Sequence, residues 1–579
     1  MSPYVKIALL PSILLAGLTA CSGQEAQPGA QATGEAMVAA ADRRAAAAGL
    51  EIMAEGGTAV DAAIAVQAVL GLVEPQSSGI AGGAFMMVYD AKTKRVRMYD
   101  GRETAPASAT PKLFYGDNDK RLPYIQGIAS GKSTGVPGVV AMLHMAHEDY
   151  GKTPWARAFD RAIDYADEGF VVSPRLESSL ARFAGYGILA QNENAQNYFF
   201  TDGKTLRSGF VRDNKPYADS LRSIAQDYRN MYRGPIAEAI IEASRLAPRP
   251  GGLTLQDFAD YEPRQRDALC SGYKGMAICG AQPPSSGGVA VQAIMRTLAN
   301  TDIADFGPDD AQGWHLFIEA SRLSYADRDL YVGDDAFVDV PTGPMLDQSY
   351  LKSRAALISA DKAMPSVKAG DPAGFKPGTD MTPDSPGTSH FSIVDPYGNA
   401  VSMTTTVEGG FGSQRMAAGM MLNNQLTDFS FEPLDKAGNP IANAVAAGKR
   451  PRSSMSPTIV IDKNGDFLLA TGSPGGNSII AYTAKTLVGM LDWDLSPQAA
   501  ADLPNVIARG NRVKMEKDGM PEAVIERLQV MGHNLALSDG EISGIHIIAK
   551  MPGGKLVGAA DKRREGVAWT TGDIPDDMK

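Results

Sequence analysis

Residues 388–412 read TSHFSIVDPYGNAVSMTTTVEGGFG, and they follow a Pro/Gly/Ser/Asp stretch at 361–387, DKAMPSVKAGDPAGFKPGTDMTPDSPG. The earlier stretch has no periodicity and reads as an exposed loop. Its end is abrupt. Thr388 to Val394 alternates polar and apolar residues, DPYG makes a turn, and Ala400 to Val407 forms a second strand. A strand that opens with Thr directly after such a loop has a chemical use. If the bond between Gly387 and Thr388 is cut, Thr388 gains a free α-amine, which in peptides titrates near about 7.7–8.0. That amine is largely neutral at working pH and can take the hydroxyl proton of its own residue, one recognised way to activate a weak nucleophile. The same hydroxyl can attack the Gly387 carbonyl and form an ester that water opens, so the chain would process itself. Side chains two apart share a strand face, so Thr404, Thr406 and Glu408 are expected as one polar wall on the strand paired with Thr388. On spacing alone, that row reads more readily as a merely solvated strand face.

The flanking sequence reads as a layered α+β chain. The folded part is predicted to begin near Met37, with a helix over Ala40–Ala54 stopped by Gly56-Gly57. Thr58 then opens TAVDAAIAVQAVLGLV, with Asp61 three residues on, the pattern of a capping box. This second helix is apolar nearly all round and is therefore expected to be buried. A turn-rich segment, EPQSSGIAGG (74–83), leads to a hairpin over 84–90 and 95–99. Residues 155–245 read as mostly helical, and Met420 to Asn424 as a third strand. A second hairpin, 458–461 and 467–470, runs into TGSPGGN and a helix from about Ser478 to Leu491. Backbone N–H groups at such a helix start can hold an oxyanion, although the segment also reads as a simple turn. Antiparallel strand pairs with helices before and after them imply stacked layers.

Composition narrows the function. With 66 Asp+Glu against 55 Lys+Arg the net charge is −11, which argues against nucleic acid as a partner. The chain starts with Lys6 and an apolar run from Ile7 to Leu18, shorter than the roughly 20 residues of a membrane span, so residues 1–20 read as a signal peptide. It ends Leu18-Thr19-Ala20-Cys21, which resembles a bacterial lipobox with Cys21 as the lipidated first residue; residues 21–36 then form a small, polar tether. The two other cysteines, Cys270 and Cys279, bracket a short Gly-containing turn; they suit a local disulfide in an oxidising compartment, or two free buried thiols. Gly131-Lys132-Ser133-Thr134-Gly135 matches the G-x-S-x-G elbow, but the match misleads, and the segment reads as a Gly-rich turn capping a helix near Pro137. Its GKS lacks the upstream Gly of a phosphate loop. The six His form no HExxH and no Cys/His cluster, so neither a metal nor another cofactor is expected.

Residues 388–412 resemble the signature of the gamma-glutamyltranspeptidase family. Thr388, His390, Ser392, Gly398, Asn399, Val401, Thr404, Thr406, Glu408, Phe411 and Gly412 all meet its fixed positions. Matching segments recur along the chain: EPQSSGIAGG, GRETAP (101–106), STGVPG (133–138), QPPSSGG (282–288), LNNQLTDFS (422–430), KRPRSSMSPTIV (449–460), TGSPGG (471–476) and GAADKRREG (558–566). The resemblance implies an N-terminal nucleophile hydrolase, a four-layer αββα sandwich of two antiparallel sheets built jointly by two chains from one precursor. The cut would separate a large subunit, 37–387, from a small catalytic one, 388–579. By resemblance Thr388 is the nucleophile, Thr406 its hydrogen-bonding partner, and Gly475 and Gly476 the oxyanion donors. Arg102, with Ser453 and Ser454, would hold the substrate α-carboxylate; Glu408, Gln425 and Asp428 would hold its α-ammonium. Glutathione and other γ-glutamyl compounds would be donors, with water, amino acids or peptides as acceptors.

Two departures bear on specificity. Glu408 stands where well-studied members have Asn, which adds a carboxylate beside Asp428. Residues 432–452 look shorter than a full lid and contain no aromatic gate, so an open site favouring hydrolysis is expected. The rival readings are a cephalosporin or glutaryl acylase on the same scaffold, and a non-enzymatic surface lipoprotein. Export implies a periplasmic or cell-surface location, and Ser22 after Cys21 resembles an outer-membrane address. Contact with a membrane would then be through the lipid alone.

Overall fold

A computed structural model describes residues 34–383 and 387–578. The segment read as a signal peptide, Cys21 and most of the tether lie outside the described residues.

The organising unit is the hairpin of Thr388–Val394 and Ala400–Thr406, antiparallel and in register from Thr388 opposite Thr406 to Val394 opposite Ala400. Its turn is closed by Asp395, whose Oδ1 accepts from the backbone N–H of Tyr397 and Asn399, each at 2.9 Å. The other Asp395 oxygen accepts from Ala59 N at 2.9 Å, at the start of the helix Ala59–Val73. A carboxylate there satisfies an otherwise unpaired N–H and meets the positive end of the helix. Thr58 and Asp61 form the capping box that starts this helix, and nearly all its residues are buried.

The hairpin lies in the middle of a seven-stranded sheet. On one side it pairs with Met37–Ala40, which in turn pairs with Val567–Thr570. On the other side come Gly83–Asp90, Arg95–Asp100 and Arg264–Asp267. A six-stranded sheet faces it, in the order Leu556–Ala560, His546–Lys550, Phe467–Gly472, Thr458–Ile461, Met276–Gly280 and Leu269–Tyr273. Every pairing in both sheets is antiparallel.

Every residue of both hairpin strands is buried, because each face of the sheet is covered. Phe391, Ile393, Val401 and Met403 face the helical layer that contains Leu50, Ile64 and Val66. Met37, Phe85, Met87 and Val394 face Ile459, Phe467 and Ile548 of the second sheet. That sheet is backed by the helices Gly287–Leu298, Ala311–Tyr331 and Ile479–Leu491 through Ile294, Phe317, Ile480 and Leu487. The layers run helix, sheet, sheet, helix. Burying each such Leu, Ile or Phe contributes about 1.5–3 kcal/mol, so the stack is held mainly by its apolar faces.

Three local expectations change. The first helix is Arg43–Ala54, started by Asp42, whose side chain accepts from Arg44 N; Met37–Ala40 is a strand. Four apolar residues carry no period of their own, and the partners on either side decide their state. The run at Met420 pairs only over Met420–Met421, with Met416–Ala417. The loop from 361 is not exposed throughout: Asp380 is buried and bonded to Arg452 and Asn443. As expected, the G-x-S-x-G segment is a turn, a single 3-10 turn with Ser133 buried and its hydroxyl donating to Ile128 O and Ser130 O, so it offers no nucleophile. Cys270 and Cys279 are bonded to each other across paired strands.

Gly82 shows how tightly the two parts of the chain meet. A Cβ there would stand 2.0 Å from the Thr406 carbonyl oxygen. Gly82→Ala must displace the end of the Thr406 strand, at a cost of about 1–3 kcal/mol. We expect a thermal melt a few degrees below wild type; an unchanged melting temperature would contradict this contact.

Candidate active site

Thr388 begins its strand at the edge of the space between the sheets. Its Oγ1 donates to Thr406 Oγ1 at 3.3 Å, directly across the register pair. Thr406 in turn donates to Gly387 O at 2.6 Å and accepts from Glu408 N at 2.7 Å. One hydroxyl thus touches both the Thr388 oxygen and the carbonyl on the other side of the 387–388 bond. Polarising that carbonyl favours attack by the neighbouring Thr388 oxygen. Gly387 is tightly enclosed: a Cβ on it would meet Glu408 O at 2.4 Å and Gly409 C at 2.5 Å. The Thr388 carbonyl accepts from Arg564 Nη1 at 2.8 Å, which anchors the strand end from the opposite side.

The polar wall expected from strand alternation is only partly present. Thr404 does share a face with Thr406, but it lies deeper between the sheets and is hydrogen-bonded to His390 Nδ1 at 2.9 Å. Burial holds His390 well below its ordinary value, so this imidazole is neutral. Glu408 lies beyond the strand, which ends at Thr406, and takes a left-handed φ of 79°. It reaches the Thr388 cavity by this turn, not by continuing the strand, and its carboxylate accepts from Asn424.

Arg102, Gln425, Asp428, Ser453, Ser454 and Gly476 line the same cavity as Thr388 and Thr406. Arg102 is completely buried; it donates to Pro451 O at 3.1 Å and Arg452 O at 2.8 Å, and meets Asp428 Oδ2 at 2.5 Å. Gln425 donates to the same Asp428 oxygen at 2.8 Å. A guanidinium and a carboxylate therefore stand side by side near Thr388, with Asp428 the more exposed of the two. Ser454 accepts from Arg328 Nη2 at 2.5 Å and donates to Asn477 at 3.0 Å. Ser453 Oγ accepts from Met455 N at 3.1 Å. Gly475 precedes Gly476 in the turn that opens the 3-10 segment Gly476–Ser478 and the helix Ile479–Leu491. Among the described residues, no group of three or more His, Cys, Asp or Glu is placed to hold a metal.

Sequence reasoning missed Arg328, Arg452 and Arg564. The first two also line the cavity, and Arg564 reaches the Thr388 backbone. Arg452 and Arg564 lie within the family-matching segments KRPRSSMSPTIV and GAADKRREG, which signalled them without giving them a role, whereas nothing in the local pattern marks Arg328.

Two facing antiparallel sheets, with a strand that opens on a threonine at their edge, have the architecture of an N-terminal nucleophile hydrolase. The gamma-glutamyltranspeptidase family profile matches residues 45–571. The glutathione hydrolase proenzyme of Escherichia coli (strain K12) is 35% identical over 542 residues, covering 91% of this chain and 90% of that protein. The glutathione hydrolase proenzyme of Bacillus subtilis (strain 168) is 33% identical over 546 residues, covering 92% and 91%. Among solved structures, a cephalosporin acylase from Bacillus halodurans superposes with a TM-score of 0.81 at 26% identity, covering 96% of this chain and 99% of that one. The chain belongs to the gamma-glutamyltranspeptidase family.

Glu103, next to Arg102, is fully buried, and neither carboxyl oxygen has a hydrogen-bond partner among the described residues. Burial pushes it up to about 8, against the pull of Arg102, from an ordinary 4.5. The folded chain then keeps a proton that the unfolded chain releases across that window. Stability from this group is full below about pH 4.5 and is lost as pH rises toward about 8. Glu103→Gln removes the titration, so the melting temperature of the variant should fall less than that of wild type between these limits. Equal slopes would show that Glu103 ionises as an ordinary carboxylate.

Proposed function

We propose that the protein is a self-processing γ-glutamyltransferase and glutathione hydrolase. Thr388 Oγ1 attacks the Gly387 carbonyl carbon, the C–N bond breaks, and the amine becomes the N-terminus of the chain 388–579. Water opens the resulting ester and leaves Gly387 as a carboxylate. The large subunit is then 37–387, preceded by the tether. In turnover the freed amine takes the Thr388 proton while Oγ1 attacks the γ-carbonyl of a γ-glutamyl amide. The donor amine departs with a proton, and a γ-glutamyl ester stays on Thr388. Water or the amine of an amino acid or peptide then takes the acyl group, in ping-pong fashion.

The observation that carries this reading is the Arg102–Asp428 pair beside Thr388. A γ-glutamyl donor is a zwitterion at its α-carbon. Its carboxylate can take the Arg102 fork, helped by Ser453 and Ser454, and its ammonium can take Asp428, Gln425 and Glu408. Held at both charges, the donor presents its γ-carbonyl to Thr388, and orientation supplies much of the rate. Gly475 and Gly476, at the start of a helix, suit the developing oxyanion. The same pair separates this reading from a cephalosporin or glutaryl acylase, which the structural likeness also admits. A glutaryl group brings a carboxylate but no ammonium, so Arg102 would have to serve both Asp428 and the glutaryl carboxylate with no second cation to share the charge.

Residues 432–452 contain no aromatic, and the neighbouring rim is pinned by Phe431 stacked on Phe114 at 4.1 Å and Tyr115 donating to Glu432 at 2.5 Å. Such a rim favours water as an acceptor, so hydrolysis should at least match transfer. The leader supports a periplasmic or cell-surface enzyme, anchored through Cys21.

Intact mass tests the processing. Wild type should appear as two chains with the second starting at Thr388, and Thr388→Ala as one chain. An active protein unbroken at 387–388 would overturn the mechanism. On donors, kcat/KM for a γ-glutamyl anilide should exceed that for the glutaryl anilide by about 100-fold, the worth of a buried charge pairing. A preference for the glutaryl compound would establish the acylase instead.

A further inference from the structure

Behind Thr388 lies a second group of buried charges that has no part in the roles given above. Thr388 lines the substrate cavity, and Ser389, one residue on, turns to the opposite face of the strand. There the Ser389 hydroxyl donates to Glu74 Oε2 at 2.6 Å and accepts from Ser78 Oγ at 3.3 Å. All three side chains are buried. Glu74 is the residue that ends the helix Ala59–Val73, where a carboxylate meets the negative end of the helix dipole. A buried acid in that position is unfavourable unless it is paired, so its partners show what it does.

The partners are two guanidinium groups. Arg175 Nη1 stands 3.2 Å from Glu74 Oε1, and Arg175 Nη2 donates to Ser77 Oγ at 3.1 Å. Arg564 feels Arg175 as a like charge and Glu74 as an opposite one, and its Nη1 donates to the Thr388 carbonyl at 2.8 Å. Ser77 O accepts from Val407 N and Gln76 O from Phe411 N, each at 3.3 Å, so the segment 74–78 also grips the turn beyond Thr406. The other charges near this point are engaged elsewhere. Glu565 accepts from Arg175 N, Asp561 is paired with Arg563 at 3.0 Å, and Glu541 is held by Lys514 at 2.6 Å and by the Tyr482 hydroxyl at 2.7 Å. Arg102, Arg328, Arg452, Glu408 and Asp428 line the cavity on the other face of the strand. Burial keeps the imidazoles of His390 and His546 neutral. Among the described residues, Glu74 is the carboxylate that offsets both Arg175 and Arg564.

We infer that Glu74 is a positioning residue for Thr388: through Ser389 it holds the start of the strand, and its charge keeps the amine that cleavage frees from facing two guanidinium groups alone. This inference rests on the reading of Thr388 as an N-terminal nucleophile and adds the group that tunes its base. An ammonium on Thr388 is disfavoured by Arg175 and Arg564 and favoured by Glu74. Removing the carboxylate therefore lowers the pH at which the amine becomes a free base, and removing the Arg175 charge raises it.

The test is kcat/KM for γ-glutamyl-4-nitroanilide against pH with the processed two-chain enzyme, because the acid limb reports the base of the free enzyme. In Glu74→Gln that limb should move down by about one pH unit, the scale of one buried charge at close range. In Arg175→Gln it should move up. Glu74→Asp keeps the charge and should restore the wild-type limb, and Ser389→Ala, which removes only the hydrogen bond, should leave the limb in place. Arg175 is partly exposed, so Arg175→Gln should fold whatever Glu74→Gln does. An unmoved limb in either charge variant, or limbs that move the same way in both, overturns the inference while wild-type anilide hydrolysis upholds its parent. Wild type that stays uncut, or that fails to hydrolyse the anilide, overturns both.

Discussion

The hydroxyl of Thr406 is the constraint around which the site is arranged. It sits within hydrogen-bond distance of the Thr388 hydroxyl oxygen, of the carbonyl preceding that residue, and of a backbone N–H at the next turn. None of these contacts survives a shift of register, because moving one strand by a single residue turns every side chain to the opposite face. The register is held by what lies on either side of the hairpin. Phe391, Ile393, Val401 and Met403 must meet the helices, and Val394 and Ala400 must meet the second sheet. Apolar packing on two faces thereby fixes a polar geometry of a few tenths of an ångström.

The charges are arranged on a different principle. Arg102, Arg328 and Arg452 are all buried near Thr388, yet each is tied to a carboxylate or to backbone carbonyls. Fixed donors of this kind need little reorganisation when a substrate charge arrives. Their cost is desolvation, offset by the partners. Asp428, the partner of Arg102, is the member of this pair that solvent reaches.

Much of this was legible in the sequence. The abrupt passage from loop to alternating strand located Thr388, and the polar row opposite located Thr406. Other parts were not. Met37–Ala40 carries no strand signal because its state is decided by partners some 350 and 530 positions away in sequence, at Val394 and Thr570. Glu408 was expected on the strand face; it reaches the cavity through a left-handed turn that strand alternation does not describe. Arg564, nearly at the chain end, touches the Thr388 carbonyl only because the last strands fold back beside the first. Periodicity reports local geometry, and these residues are placed by topology.

The strand Met37–Ala40 has a consequence for the fate of a severed precursor. It is inserted between Val567–Thr570 and Thr388–Val394, both from the far side of residue 387. The second sheet is likewise shared, with Met276–Gly280 laid against Thr458–Ile461. The fragments would be woven together, not docked. Dilution offers them no way apart short of unravelling both sheets, so the pair should behave as one body at any concentration, and halves made separately would have to fold in each other's presence to regain their shape.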